Sequence, residues 1–296
     1  MPIAENPVGL KLDQIILATD FTPTSEAATD YTRTLAEHFS ATTTVAHVLD
    51  LSVTTRSEAS MAGWPIEDMR HNCAEKMGST LNRFISRSLN VRGRTLESFN
   101  PALAIVDLAD NIKADLIVMG THSRHGLSKM INGSFADGVI HHATCPVITL
   151  GPKARRSLTV EPNLKTILFA TDLKHDAGQK VAKALALAQE SAAKVYICHI
   201  VEAKGKDRPD KECIPAGIES ALRDLLPDST FEQAPECIIG FGDAGRHILE
   251  FATKKSADLI ILGAQRGGPY FSHWKKSVVS SVLAEAECPV MTICTD

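Results

Sequence analysis

The chain has 296 residues, of which 44% are hydrophobic and 22% charged, with 31 lysines and arginines against 35 aspartates and glutamates. This length predicts about two globular domains, and the net charge of −4 gives no overall attraction to nucleic acid or to an anionic membrane. No apolar run approaches the roughly 18 residues that a membrane-spanning helix needs.

The seven cysteines are odd in number, widely scattered and without a Cys-x-x-Cys pair. This pattern argues against a disulfide framework and against a zinc site. The first 14 residues, MPIAENPVGLKLDQ, lack the basic region and apolar stretch of a secretory signal. We therefore predict mostly buried thiols, no metal site, and a reducing compartment, the cytoplasm.

The first predicted element is a strand at residues 15–18, a short apolar run of the kind found in strands that are buried on both faces. Thr22 and Pro23 then indicate the start of a helix. The apolar stripe of this helix is predicted to run through Ala27, Tyr31, Leu35 and Phe39.

The rest of the first half alternates in the same way. We predict strands at residues 43–49, 94–99, 116–119 and 146–150, and helices at residues 73–89, 102–112 and 134–143. Helices that alternate with short, continuous apolar strands predict an α/β fold, with a five-stranded parallel sheet and helices on both faces.

The second half repeats the first. Residues 15–20 (IILATD) return 152 residues later as ILFATD, and residues 114–120 (ADLIVMG) return 143 residues later as ADLIILG. Residues 46–50 and 143–147 have counterparts at the same two offsets, in the same order. The repeats predict two domains of one fold, at residues 1–152 and 163–296, with a polar linker at residues 153–162.

Two features of the first half fall at the carboxyl ends of predicted strands, where open parallel sheets bind ligands. Asp20 follows the first strand, and Gly120 opens the loop GTHSRHGLSKMINGS, residues 120–134. Glycine permits close backbone approach, and amides that lead into a helix N-terminus present donors to an anion. A plain strand-to-helix loop is an equal alternative, since the loop matches neither the Rossmann fingerprint nor the P-loop.

These motifs resemble those of the universal stress proteins, here as a tandem pair. That family carries an Asp at the end of strand one, a His-Val-like pair in strand two, and the signature Gly-x2-Gly-x9-Gly-[Ser/Thr] after strand four. The matching residues are Asp20, His47-Val48 and the loop from Gly120 to Ser134. The resemblance covers nearly the entire chain and implies a Rossmann-like, adenine nucleotide alpha hydrolase-like fold for both domains.

In ATP-binding members of that family, the Asp meets adenine, the backbone of the strand-two residue also meets the base, and the glycine loop holds ribose and phosphates. The resemblance therefore implies a site for ATP, with Mg²⁺ as its companion ion, in the N-terminal domain. The residues expected to bind the cofactor are Ala18, Thr19, Asp20, Val48, Gly120, His122, Ser123, Gly133, Ser134 and Phe135.

Both copies depart from the family signature. In the first copy Ser123 replaces the middle glycine, which costs about 1 kcal/mol if that position needs a positive φ, although its hydroxyl can donate to phosphate. In the second copy Arg266 and Lys276 replace two glycines. We interpret the second site as degenerate; the alternatives are that these cations grip an anion or form salt bridges.

The two strand-one aspartates have alternative roles as turn or helix-capping residues. For Asp20 we favour a base contact, and for Asp172 we favour capping, because its phosphate loop has lost its glycines.

We predict a stress-response protein that binds ATP or a related adenine nucleotide, mainly in its N-terminal domain, and acts as a nucleotide-dependent regulatory or interaction module. No catalytic constellation emerges, so we expect no enzyme. The alternatives are a nucleotide-independent dimerising scaffold, and a weak ATPase or autophosphorylating protein. The resemblance implies that the two domains pair through their last strands as an intrachain pseudo-dimer, and that chains form homodimers, without nucleic-acid or membrane partners.

Overall fold

A computed structural model describes most of the chain. The described residues are 12–52, 66–121, 135–154, 164–174, 190–201, 216–225, 233–265 and 278–295, together with positions 178, 182 and 186–187. Backbone contacts divide the chain into two compact units, one built on Leu12–Pro152 and the other on Asn163–Asp296. Residues 155–162 of the predicted linker lie outside the described residues.

The first unit alternates strands and helices from end to end. Its elements are β1 (Gln14–Ala18), α1 (Pro23–Phe39), β2 (Thr42–Asp50), α2 (Ile66–Ile85), β3 (Val91–Ser98), α3 (Pro101–Ile112), β4 (Leu116–Gly120), α4 (Phe135–His142) and β5 (Val147–Leu150). The strands are parallel and lie in the order β3-β2-β1-β4-β5. The predicted five-stranded parallel α/β sheet is confirmed.

The second unit has the same topology. Its elements are β6 (Thr166–Thr171), β7 (Lys194–Val201), α5 (Ala216–Asp224), β8 (Glu236–Phe241), α6 (Ala244–Lys255), β9 (Leu259–Gln265), α7 (Val278–Glu285) and β10 (Val290–Thr295). The parallel order β10-β9-β6-β7-β8 places β6 where β1 lies in the first unit. Two domains of one fold are therefore confirmed.

The core of the first unit lies at the centre of its sheet. Ile15, Ile16 and Leu17 of β1 and Ile117 and Val118 of β4 are all fully buried. Successive residues of a strand point to opposite faces, so complete burial along a strand requires helices on both sides. This is why β1 and β4 read as continuous apolar runs.

The buried face of α1 differs from the predicted stripe. Leu35 is buried as predicted, but Ala27 and Phe39 are only half-buried, while Thr32 is fully buried. The Thr32 hydroxyl donates to the carbonyl oxygen of Ala28 at 2.7 Å. The hydroxyls of Thr29 and Thr34 make the same kind of bond along this helix, each at 2.8 Å. A buried hydroxyl that is bonded within its own helix carries little desolvation cost, so a threonine can lie on the buried face of α1 beside the apolar residues.

Two predicted starts are wrong. Helix α2 begins at Ile66 and ends at Ile85, whereas residues 73–89 were predicted. Strand β3 begins at Val91, three residues before its predicted start. The prediction missed this start because β3 is an edge strand with largely exposed side chains, and Arg92 and Arg94 interrupt its apolar pattern. Both errors arise where an element has little buried surface.

Cysteine burial follows the prediction with exceptions. Burial raises the pKa of Cys198 to about 12, and burial together with Asp258 and Glu287 raises that of Cys288 to about 12. Cys145 is only half-buried, because β5 starts two residues later, so it departs from the burial predicted for most of the thiols. Cys237 is exposed, which the sequence did not indicate.

We expect iodoacetamide at pH 8 to label Cys237 in the native protein and to leave Cys198 and Cys288 unlabelled. A thiol with a pKa near 12 is thiolate in only about one molecule in ten thousand at pH 8, and thiolate is the reactive form. Peptide mass spectrometry measures the labelling, with protein in urea as the control in which all three react. Labelling of Cys198 as fast as Cys237 in the native protein would contradict the fold assigned to β7.

Within the described ranges, no helix is both long and apolar enough to cross a membrane.

Candidate functional site

The topology brings two of the predicted site features to neighbouring strand ends. Strand β1 pairs with β2 on one side and with β4 on the other, with Ala18 opposite Met119. The chain moves from β1 to β2 and later returns on the far side of β1 with β4, so strand order reverses beside β1. Asp20 follows this end of β1, and Gly120 is the last residue of β4. Such a reversal is where ligands bind in open parallel sheets.

A tight turn follows β1. The Thr19 amide donates to the Ala46 carbonyl at 2.9 Å and continues the pairing with β2. The Thr19 hydroxyl oxygen then accepts from the Phe21 amide at 3.0 Å. Phe21 has a φ of 60°, in the left-handed region that side chains rarely adopt. The hydrogen bond and the following helix hold this conformation in place.

The Asp20 side chain is exposed and is oriented by its own turn. Its Oδ1 atom accepts from the Thr22 amide at 3.1 Å, from the Thr22 hydroxyl at 2.6 Å and from the Ser25 hydroxyl. The local turn role that the sequence left as an alternative is therefore present. Contact with a base by the same carboxylate stays a prediction.

His47 supports the turn from β2. Its Nδ1 donates to the Thr19 carbonyl oxygen at 2.8 Å, and its ring packs on the Phe21 ring with centroids 4.7 Å apart. The sequence placed His47 in a family-like motif but gave it no role. Its signal was the repeat, because His199 makes the same bond to the Thr171 carbonyl at 2.9 Å.

The other predicted site residues have varied surroundings. Ala18 and Thr19 are buried, so they can offer a ligand little more than backbone groups. Val48 is half-buried on β2, opposite Leu96 of β3, and Phe135 is the exposed first residue of α4. Residues 122–134 of the predicted phosphate loop lie outside the described residues, and four of the residues expected to bind the cofactor are among them: His122, Ser123, Gly133 and Ser134.

The second domain forms the same turn with a different surface. The Leu173 amide donates to the Thr171 hydroxyl oxygen at 3.1 Å, and the Lys174 amide donates to Asp172 Oδ1 at 3.2 Å. Leu173 has a φ of 57°. The Lys174 ammonium lies 2.8 Å from Asp172 Oδ2. Asp172 thus has a local turn role, and its carboxylate forms an ion pair with Lys174 of the same turn. Arg266 and Lys276 lie outside the described residues.

Two structural aspartates were missed by the sequence reasoning. Asp115 precedes β4, and its Oδ2 accepts from the amides of Asp13 and Gln14, both at 2.8 Å. Asp258 precedes β9 and accepts from the amides of Lys165 and Thr166 at 2.9 and 3.0 Å. Asp115 thus links the start of β4 to the start of β1, and Asp258 links the start of β9 to the start of β6. The repeated Ala-Asp-Leu-Ile segment was the signal for this role.

Comparison with known proteins agrees with the geometry. A model of the universal stress protein family matches residues 11–150 and again residues 163–293. Universal stress protein A homolog 1 of Coxiella burnetii is 30% identical over 142 residues, which cover 47% of this chain and 96% of that protein. Universal stress protein MJ0531 of Methanocaldococcus jannaschii is 30% identical over 139 residues, covering 46% of this chain and 81% of that protein.

Solved structures match nearly the whole chain. The crystal structure of a universal stress protein from Archaeoglobus fulgidus has a TM-score of 0.74 at 18% identity, and the match covers 97% of both chains. At this identity the likeness shows the fold, which is the tandem α/β architecture described above.

Proposed function

The chain belongs to the universal stress protein family, and from this we propose that its N-terminal domain binds ATP or a related adenine nucleotide. The proposed role is that of a nucleotide-dependent regulatory or interaction module in a stress response. The family resemblance seen in the motifs is confirmed by the two matches to the family model. The nucleotide and the role are the proposal.

The observation that carries the proposal is the position of the Asp20 carboxylate. It is exposed where strand order reverses, beside the strand that ends at Gly120, and its Oδ1 is fixed by three donors. An ionised carboxylate only accepts hydrogen bonds, so it suits the exocyclic amino group of adenine, which is a donor. The Asp20 carboxylate therefore supports a site for the base of the nucleotide.

The sequence supports the phosphate end of the site. Gly120, Gly133 and Ser134 keep the family spacing, and backbone amides ahead of a helix suit a polyphosphate. Within the described part of the chain, no group of three or more His, Cys, Asp or Glu side chains is arranged to hold a metal ion. We propose that Mg²⁺ binds mainly through the phosphate oxygens, as it commonly does with nucleotides.

We assign the binding to the N-terminal domain because the second domain differs at both ends of the equivalent site. Lys174 pairs with the Asp172 carboxylate, and Arg266 and Lys276 stand where the family signature has glycines. The exposed ion pair is weak on its own, so the lost glycines are the larger obstacle. The side chains of Arg266 and Lys276 would occupy space that the phosphates of a nucleotide use.

The proposed action is binding rather than turnover. A nucleotide that binds one conformation more tightly shifts the population toward it and so changes which partners bind. The family resemblance supports pairing of the two domains through their last strands and homodimers of whole chains. The scattered, mostly buried cysteines support a reducing compartment, the cytoplasm.

We expect Asp20→Ala to lower the affinity for ATP about tenfold or more, because the base amino group loses a charged acceptor worth roughly 1–3 kcal/mol. Asp172→Ala removes the equivalent carboxylate from the second domain and is the matched control, with no expected loss. Isothermal titration calorimetry measures both. Equal losses in the two variants would contradict the assignment to the N-terminal domain, and a wild-type chain that binds no adenine nucleotide would favour a nucleotide-independent scaffold.

A further inference from the structure

The acceptor Oδ1 of Asp20 has more donors than its turn requires. One donor is the backbone amide of Thr22, and the other two are the hydroxyls of Thr22 and Ser25. Ser25 lies in the first turn of α1 and is only 2% exposed. A buried hydroxyl is thus aimed outward at a carboxylate on the surface.

The Thr22 hydroxyl also donates to Asp20 rather than to its own helix. Thr22 occupies the N-cap position of α1, where a threonine side chain ordinarily accepts from an amide of the first helical turn. Its side chain makes no such bond. Its hydroxyl donates instead to Asp20 Oδ1 at 2.6 Å, so the helix forgoes a stabilising cap in favour of the carboxylate.

The second domain shows that the turn forms without these hydroxyls. At the positions of Thr22 and Ser25 it has Lys174 and Ala177. The threonine-to-amide bond, the aspartate-to-amide bond and the positive φ are nevertheless present, with Leu173 at 57° against Phe21 at 60°. The two hydroxyls are therefore not needed to fold the turn.

We propose that Ser25 and Thr22 are positioning residues that fix the Asp20 carboxylate for the 6-amino group of an adenine base. This inference rests on the proposed nucleotide site and adds the source of its base selectivity. Rotation of an aspartate carboxylate is otherwise broad. Donors that hold one oxygen set the direction of the whole group before the ligand arrives, which reduces the ordering cost of binding.

The inference explains what the second domain has lost. A lysine on the carboxylate and an alanine in place of the serine leave Asp172 with a different set of partners. GTP distinguishes the two arrangements, because guanine carries an oxygen where adenine carries the 6-amino group. A fixed carboxylate repels that oxygen, whereas a loosely held one can turn aside. Selectivity for ATP over GTP is therefore the property that the two hydroxyls support.

The test compares variants that remove or keep each hydroxyl in the full-length chain. Thr22→Val and Ser25→Ala remove one hydroxyl each, while Thr22→Ser keeps it. Thr32→Val is the matched control, since Thr32 is a buried α1 residue whose hydroxyl donates within the helix, to the Ala28 carbonyl oxygen. Calorimetry with ATP and with GTP gives affinity and selectivity, and thermal unfolding without ligand gives stability.

We expect the Thr22→Val, Ser25→Ala double variant to bind ATP about five- to tenfold more weakly and to lose selectivity over GTP by a similar factor. The Thr22→Ser variant keeps the wild-type affinity for ATP and the wild-type selectivity over GTP. The Thr32→Val variant changes stability without changing selectivity. Wild-type selectivity in the double variant would overturn the inference while leaving the nucleotide site intact. A wild-type chain that binds neither nucleotide would overturn the proposed function and this inference together.

Discussion

Replacing Gly138 with alanine is expected to destabilise the N-terminal domain by about 2 kcal/mol, because two helices have no room for another carbon atom. Gly138 lies on α4, which packs against α3. A Cβ atom at this position would lie 2.6 Å from the Cβ of Ala102, closer than two carbon atoms can approach without strain. Both atoms lie next to the backbone, so the helices themselves must move.

The second domain supplies the design of the rescue. The positions of Ala102 and Gly138 are taken there by Gly245 and Ser281, so the glycine stands on the opposite helix. A Cβ on Gly245 would lie 3.1 Å from the Ser281 Cβ. We therefore expect Ala102→Gly to restore most of the stability that Gly138→Ala removes.

Urea unfolding with hydrogen exchange resolved by peptide measures these changes and assigns them to a domain. The matched control is Gly78→Ala on α2, where nothing lies within 4 Å of the added carbon and alanine favours the helix. Wild-type stability of Gly138→Ala would show that α3 and α4 are not in close contact.

Replacing Asp115 with alanine is expected to cost about 2–3 kcal/mol of the same domain's stability. The change leaves the amides of Asp13 and Gln14 without the charged acceptor that both use at 2.8 Å, and hydrogen bonds to charged groups contribute more than neutral ones. Partial exposure lets water replace some of the loss, which keeps the estimate below the full value of two such bonds.

The same denaturation experiment tests this prediction. Asp107→Ala is the control, because it removes an exposed carboxylate from α3 and is expected to change stability by less than about 0.5 kcal/mol. Asp258→Ala should shift the loss to the second domain, where the equivalent bonds are 2.9 and 3.0 Å. Equal stability of Asp115→Ala and Asp107→Ala would contradict a stabilising role for the hydrogen bonds between Asp115 and the start of β1.

The sequence predicted the parts of the fold that depend on burial and on repetition. Strands β1 and β4 read as apolar runs because both of their faces are covered, and the two offsets revealed the second domain. The starts of α2 and β3 were placed wrongly, because exposed residues such as Arg92 and Arg94 follow no apolar pattern. Asp20 and Gly120 were located by a general rule for parallel sheets rather than by their own chemistry.

The contacts that refine the site were beyond the sequence. Thr22 and Ser25 look like ordinary helix-start residues, and only coordinates show both hydroxyls on one oxygen of Asp20. Asp115 bonds to amides about a hundred positions away in the chain, so no local pattern indicates its partner. Gly138 looks like an unfavourable helix residue until the nearby Ala102 is seen.

The most direct test of the central claim is photoaffinity labelling of the intact chain with an azido derivative of ATP, read out by mass spectrometry. The mass of the labelled chain gives the number of nucleotides bound, and its peptides give their place. We predict one nucleotide per chain, attached within residues 12–152, and competed away by unmodified ATP. Labelling confined to the second domain, equal labelling of both domains, or no labelling that ATP can displace would contradict it.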